Sequence, residues 1–101
     1  MVKGGFIKME FNWERFKVEK IAVECCNKEE MVDFLDSLKN NDIDGHELKE
    51  YLLENNGGFE YPIYFEACNS SYDYYVVWSD DTYHQDANYT ILKWNNYMNC
   101  N

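Results

Sequence analysis

The chain has 101 residues, of which 46% are hydrophobic and 18% aromatic, and its formal net charge is −10. This length allows one domain, and the apolar content is too high for a disordered acidic tail. A protein this negative repels nucleic acids and anionic membranes and attracts basic surfaces, which favours a protein-binding role over catalysis.

The charge is distributed unevenly along the chain. Residues 1–28 have a net charge of +2, whereas residues 29–101 have a net charge of −12. Residues 3–9 back-translate to a string that contains AAAGGAGG, a bacterial ribosome-binding sequence, a short distance before the codon of Met9. We therefore expect Met9 to be the natural start of a bacterial or phage protein, with residues 1–8 a translated leader or, as the alternative, an ordinary disordered N-terminus, and residues 9–101 one domain.

The first predicted elements are a strand and a helix. Apolar and charged side chains alternate over residues 17–25, which predicts a half-buried strand. Asn27 is a favourable N-cap residue and Glu30 follows three positions later, so a helix is expected from here to about Asn40. Its apolar side carries Met31, Phe34, Leu35 and Leu38, and its outer side carries Glu29, Asp33 and Asp36.

A turn over residues 41–45 separates this helix from a second, shorter one, expected from about His46 to Glu54. Residues 55–58, Asn-Asn-Gly-Gly, are expected to end it. Its apolar side carries Leu48, Tyr51 and Leu52, and its outer side carries Glu47, Glu50 and Glu54.

The last third of the chain predicts three strands. Residues 61–68 and 72–78 flank a polar turn and form a hairpin, and Pro62 indicates an edge or a strand end. Residues 79–88 are expected to be a polar loop, and residues 89–94 the last strand. The order β-α-α-β-β-β predicts an α+β fold, with a four-stranded, mostly antiparallel sheet and one or two helices packed on one face.

Two further features of the sheet are expected. The first strand should lie beside the last strand or in the middle. The face without helices should present Tyr and Trp rings, covered by a partner or by the N-terminal segment with its three aromatic residues, Phe11, Trp13 and Phe16.

Patterns typical of enzymes and metal sites are weak in this sequence. The two bases that titrate near neutral pH, His46 and His84, are expected to be exposed. The cysteines lack the close pairing of a zinc site and no secretory signal precedes them, so they are expected to be reduced thiols of a cytoplasmic protein. No cofactor, metal ion, transmembrane span or nucleic-acid-binding patch is predicted. The four cysteines are Cys25, Cys26, Cys68 and Cys100.

Two candidate binding surfaces remain. The first is acidic and would bind a basic groove that normally holds a polyanion, with an association rate that falls as salt rises. The alternative interpretation of these charges is a solvated face. The second candidate is aromatic (Tyr74, Tyr75 and Trp78), and through it the chain would self-associate or dock on another protein. The acidic candidates are Glu29, Asp33, Asp36, Glu47, Glu50, Glu54, Asp73, Asp80, Asp81 and Asp86.

Three segments resemble small acidic proteins of phages and prophages from Gram-positive bacteria: Lys-Ile-Ala-Val-Glu-Cys (20–25), Lys-Glu-Glu-Met-Val-Asp-Phe-Leu (28–35) and Tyr-Thr-Ile-Leu-Lys-Trp (89–94). Some proteins of this kind are anti-CRISPR proteins or other inhibitors of host defence. The resemblance therefore implies a stoichiometric inhibitor that binds a CRISPR effector or surveillance complex. A phage accessory or assembly protein that uses the aromatic surface is the alternative. A small enzyme, which would depend on His46 or His84, comes third.

Overall fold

The computed structural model describes residues 10–54, 59–71 and 73–98. Within these ranges the chain forms four α-helices and five β-strands, which confirms the α+β class. The proposed leader, the Asn-Asn-Gly-Gly stop at residues 55–58 and Cys100 lie outside the described residues. The helices are α1 (Trp13–Val18), α2 (Lys28–Leu38), α3 (His46–Glu54) and α4 (Tyr83–Asp86). The strands are β1 (Ile21–Cys25), β2 (Ile43–Asp44), β3 (Ile63–Asn69), β4 (Tyr74–Ser79) and β5 (Thr90–Lys93).

The five strands form one mixed sheet in the order β2-β4-β3-β1-β5. Strand β3 is antiparallel to both of its neighbours, whereas β1 pairs in parallel with β5 and β2 in parallel with β4. The predicted β3–β4 hairpin is confirmed, and so is the place of β1 beside the last strand and inside the sheet. The prediction of four mostly antiparallel strands is wrong in detail, because β2 adds an edge and both edge strands are parallel to their neighbours.

One face of the sheet carries the main hydrophobic core. Val23, Phe65 and Trp78 are register partners across three strands and share this face. Phe34 of α2 packs on Phe65 with ring centroids 5.1 Å apart, and Phe16 of α1 packs edge-on against Phe34. Leu52 of α3 joins the same core. The apolar stripe predicted for α2 is therefore confirmed as the side that covers the sheet.

The opposite face of the sheet is covered in part by α4. His84 of α4 lies 2.8 Å from Glu66, whose side chain points away from the face that holds Phe65. The prediction that the helices pack on one face is therefore incomplete. The segment expected to be a loop, residues 79–88, contains this extra helix.

The start of α2 is fixed by the predicted cap. Asn27 accepts a hydrogen bond from the backbone N–H of Glu30 at 2.9 Å, and the Glu30 carboxylate accepts from the backbone N–H of Cys26, also at 2.9 Å. The first bond satisfies an N–H group that the first turn of a helix leaves without a partner, and the second joins the Glu30 side chain to the N–H of Cys26, the residue before the cap. They also fix the rotation of α2 at the end of β1, and with it the side on which Asp33 and Asp36 lie.

Two short elements differ from the prediction for local reasons. Residues 17 and 18 end α1 and do not begin a strand, because Asn12 caps that helix by accepting from the N–H of Arg15 at 3.0 Å. The predicted turn at residues 41–45 contains β2, in which Ile43 is buried and pairs with Tyr74. Asp42, with a φ of 61°, makes the bend between the helical turn that follows α2 and strand β2.

Candidate protein-binding surface

Helix α2 places its predicted carboxylates on the outer side of the helical layer. Glu29 and Asp36 are exposed and Asp33 is half-buried, as expected for the side opposite the core stripe. Asp33 lines two hollows, one on each side of the helix. The hollow shared with Val32, Asp36 and Met98 has a volume of about 410 Å³. Asp33 therefore borders both hollows.

An ion pair joins the acidic sides of α2 and α3. Lys49 of α3 donates to the carboxylate of Asp36, and both side chains are partly exposed. The carboxylates of Glu47, Glu50 and Glu54 are exposed on α3. The structure thus brings the predicted α2 and α3 residues into one layer, with Lys49 offsetting part of the charge.

Asp73 lies apart from this layer, at the sheet edge formed by β2 and β4. It lines a hollow of about 360 Å³ together with Asp42, Asp44 and Lys39. Asp42 and Asp44 were not singled out by the sequence, because their approach to Asp73 depends on the pairing of β2 with β4. Among the described residues, no cluster of His, Cys, Asp or Glu has the arrangement of a metal site.

The last three predicted acidic residues lie near α4, and two of them hold its local structure. Asp81 accepts from the backbone N–H of Tyr83 at 3.0 Å, and Asp86 accepts from the hydroxyl of Thr82 at 2.9 Å. Asp80 accepts a long bond from the N–H of Glu60 at 3.3 Å. Since α4 packs on the other face of the sheet, Asp81 and Asp86 are separated from the α2–α3 carboxylates by the sheet itself.

An aromatic cleft lies at the end of α2, beside the N-terminal segment and the turn that follows β5. The cleft has a volume of about 530 Å³, and Phe11, Trp13, Trp94 and Tyr97 line it. The indole N–H of Trp94 donates to Asp33 at 2.7 Å. Sequence reasoning missed this site because the bond joins residues 61 positions apart.

The three residues of the alternative aromatic surface do not share one face. Tyr74 and Trp78 lie on the core side, where the amine of Lys17 sits over the Tyr74 ring and Trp78 packs against Phe59. Tyr75 lies on the opposite face and is 39% exposed, next to Val77 at 36%. The three residues therefore do not form one aromatic surface, because the pairing of Trp78 with Phe65 places Tyr74 and Trp78 on the core side and Tyr75 on the other.

The second face of the sheet contains a hydrogen-bonded network that the sequence did not reveal. His84, expected to be exposed, is 1% exposed. One nitrogen of its ring lies 3.0 Å from the Ser79 hydroxyl and the other 2.8 Å from the Glu66 carboxylate. The hydroxyl of Tyr89 donates to the second oxygen of Glu66, and this bond raises the pKa of Tyr89. The side chain of His46 is outside the described part of the structure.

This network has the order hydroxyl, imidazole and carboxylate that serine hydrolases use. In those enzymes the hydroxyl must reach a substrate carbonyl beside hydrogen-bond donors that hold the developing oxyanion. Here the imidazole is sealed between α4 and the sheet, and its two partners are strand residues. The arrangement satisfies buried polar groups and fixes α4 on the sheet.

The described cysteines are free thiols. Cys25 is fully buried in the core, and burial raises its pKa well above its ordinary value. Cys26 is exposed and donates to Glu24 at 3.2 Å; desolvation and this bond raise its pKa to about 11. Raised pKa values oppose thiolate formation, so neither thiol has the character of a nucleophile.

Comparison with protein-family models, with curated proteins and with solved structures finds no match to this chain. In the described ranges, every helix is too short or too polar to cross a membrane.

Proposed function

We propose that this chain is a non-enzymatic inhibitor of a bacterial defence system that binds a basic, nucleic-acid-handling protein through the exposed carboxylates of α2 and α3. The observation that supports this is the composition of the helical layer. Helices α2 and α3 together carry seven carboxylates and two lysines, a net charge of −5 within 20 residues. Most of these carboxylates are exposed, and a surface with this charge attracts a groove that normally holds nucleic acid.

The assignment to defence inhibition depends on the resemblance to small acidic phage proteins. It makes a CRISPR effector or surveillance complex the proposed target and the bacterial cytoplasm the place of action. A stoichiometric inhibitor of this kind needs a folded surface and long-range attraction, and it needs no cofactor.

The direct test is a pull-down with the form that starts at Met9, from lysate of a CRISPR-bearing Gram-positive host, at low and at high salt. We expect recovery of a basic nuclease or surveillance complex at low salt and its loss at high salt, because exposed charge pairs are screened. Recovery of phage proteins alone, with no dependence on salt, would contradict the proposal.

Two variants with the same change in net charge locate the surface. Glu47→Lys reverses an exposed charge on α3, whereas Asp86→Lys reverses one on the opposite layer. We expect Glu47→Lys to reduce recovery of the target strongly and Asp86→Lys to change it little. Equal losses would show a response to net charge without a defined face, and an unaffected Glu47→Lys variant would exclude the α3 surface.

One observation favours the alternative, a phage accessory or assembly protein that self-associates or docks through an aromatic face. Tyr75 and Val77 lie two positions apart on the same face of β4, and both are exposed beside the α4 network. Under this alternative, sedimentation would show a salt-independent oligomer in the wild type and a monomer in Tyr75→Glu. If the wild type were monomeric across the accessible concentration range, self-association would be excluded.

A further inference from the structure

We propose that the aromatic cleft beside α2 binds one cationic side chain, an arginine of the protein partner. This inference depends on the proposed function and goes further, because it names the group that the acidic surface receives and where it enters. It is carried by three observations: the shape of the cleft, the rings that line it and the two carboxylates beside them.

The cleft has the size of a ligand site, with aromatic rings on one wall and polar residues of α2 and the turn after it (Asp33, Ser37, Asn40 and Asn41) also lining it. Its volume of about 530 Å³ falls within the range of roughly 300–1,000 Å³ that is usual for such sites. Phe11 is at the centre of the ring cluster that lines it, with ring centroids 4.7 Å from Trp13, 5.1 Å from Tyr97 and 5.3 Å from Trp94. Each of these contacts is edge to face, so the rings support one another and form a firm wall.

The rings leave surface available to a ligand. Trp94 is nearly buried, at 4% exposed. Phe11, Trp13 and Tyr97 are half-buried, and all three line the cleft. Aromatic faces attract cations through the ring quadrupole, most strongly for indole. Arginine is the favoured cation because its planar guanidinium stacks on rings and still donates sideways to a carboxylate.

Two carboxylates supply the complementary charge. Glu10 lies at the cleft and is exposed, and Asp33 lies on the α2 side and is held by the indole N–H of Trp94 at 2.7 Å. The indole is a neutral donor, so this bond orients the Asp33 carboxylate without cancelling its charge. A carboxylate has acceptor sites for more than one donor, which leaves Asp33 able to accept from a guanidinium.

The same charges disfavour nucleotides, another class of ligand that aromatic clefts take. Nucleobases stack on Trp and Tyr rings, but they come with phosphates. Glu10 and Asp33, on a chain of net charge −10, repel phosphates. Lys28 and Lys49, on α2 and α3, are not among the residues that line this cleft. A cationic side chain is therefore the occupant that fits both the rings and the charge.

The test uses the full chain and a short peptide with one arginine, compared with the same peptide carrying neutral citrulline. Binding is followed by the indole N–H signals in a proton–nitrogen NMR spectrum. We expect the arginine peptide to shift the signals of Trp13 and Trp94 at millimolar concentration, to leave Trp78 unchanged, and to bind more tightly than the citrulline peptide. Equal shifts with both peptides, or no shift at all, would overturn the proposal.

Asp33→Asn tests the role of the charge, because asparagine retains an oxygen to accept from Trp94. We expect this variant to bind the arginine peptide about tenfold more weakly, and Asp86→Asn, with the same loss of charge on the other layer, to bind it as the wild type does. Unchanged binding by Asp33→Asn would overturn the site. Binding that requires deletion of residues 1–8 would also overturn it, in favour of Lys3 or Lys8 as the occupant.

The two proposals fail in different ways. If the peptide binds at the cleft and no basic partner is recovered from lysate, the proposed function fails and the cleft remains a cation site. If a basic partner is recovered equally well by the wild type and by Asp33→Asn, the cleft plays no part in binding and the proposed function remains.

Discussion

Trp94 donates its indole N–H to the carboxylate of Asp33 at 2.7 Å, and this bond ties the turn after β5 to the middle of α2. It joins two halves of the aromatic cleft, since Trp94 belongs to the ring cluster and Asp33 to the acidic side of the helix. The bond also satisfies a nearly buried indole, which needs an acceptor. Asp33 is therefore both part of the candidate surface and a support for the fold.

We predict that Asp33→Leu lowers the free energy of unfolding by about 1–3 kcal/mol, because it leaves the indole N–H without an acceptor. Asp33→Asn should cost less, since its amide oxygen still accepts. Chemical denaturation measures both effects, and the indole N–H resonance of Trp94 reports whether the bond is kept. Glu29→Leu, one turn earlier, should lower the free energy of unfolding by only about 0.3–1 kcal/mol, because it removes just the interaction of a negative charge with the helix dipole. Equal losses for the two Asp33 variants would contradict this role.

The network on the second face gives a separate prediction. Tyr89→Phe should lower the free energy of unfolding by about 1–3 kcal/mol, because Glu66 loses the hydroxyl that donates to it while His84 still occupies its other oxygen. Urea denaturation measures the change. Tyr83→Phe is the matched control, since Tyr83 is 53% exposed, and should change stability by less than about 0.5 kcal/mol. A Tyr89→Phe variant as stable as the control would show that the hydroxyl contributes nothing.

The parts of the fold that could be predicted from sequence are those with a local signal. Helix α2 has an N-cap at Asn27, a capping acid at Glu30 and a periodic apolar stripe, and each was confirmed by the structure. Helix α3 has the predicted bounds. By contrast, α4 has four residues and β2 has two, which is too short for either period to show.

The arrangement of the candidate site depended on contacts between distant positions. Periodicity placed Asp33 on the outer side of α2, but it could not show that Trp94 lies against it. In the same way, the acidic composition near Asp86 did not reveal that α4 packs on the second face, because His84 and Glu66 carry no sequence pattern that links them. The side of a helix or strand on which a side chain lies could be predicted from periodicity. The layer to which each helix or strand belongs could not, because tertiary packing determines it.

Gly45 gives a prediction about the junction of the two long helices. A methyl group at this buried position would collide with the Leu38 side chain at the end of α2. Leu38 is 1% exposed and has little room to move. Gly45→Ala should therefore lower the free energy of unfolding by about 1–3 kcal/mol through overpacking.

A double-mutant cycle checks the cause of this loss. Leu38→Ala removes the atoms with which the new methyl collides, at a cost of about 2–5 kcal/mol for the cavity. In that background Gly45→Ala should cost less than it does in the wild type, and a coupling energy above about 0.5 kcal/mol would confirm the contact. If the losses of the two single variants simply added up in the double variant, the cost of Gly45→Ala would come from the backbone at residue 45 and not from a collision with Leu38.

Stability should fall at alkaline pH because several groups have folded pKa values above their ordinary values. Burial raises the pKa of Cys25, desolvation and the bond to Glu24 raise that of Cys26 to about 11, and the bond to Glu66 raises that of Tyr89. In each case the unfolded chain releases its proton at a lower pH than the folded chain. The stabilisation is therefore complete below the unfolded thiol pKa, about 8.5–9, and is lost as pH rises beyond it.

The expected slope for one such group is about 1.4 kcal/mol per pH unit, and urea denaturation under reducing conditions, from about pH 7 to about pH 11, measures it. Cys25→Val removes one titrating group from the core and should make the alkaline slope shallower. Val23→Ala, a non-titrating change on the same strand, should lower stability at every pH and leave the slope as it is. If Cys25→Val kept the wild-type slope, the buried thiol would not be a source of the alkaline loss, which would then come from the other groups with raised pKa values: Cys26, Tyr61, Tyr64, Cys68 and Tyr89.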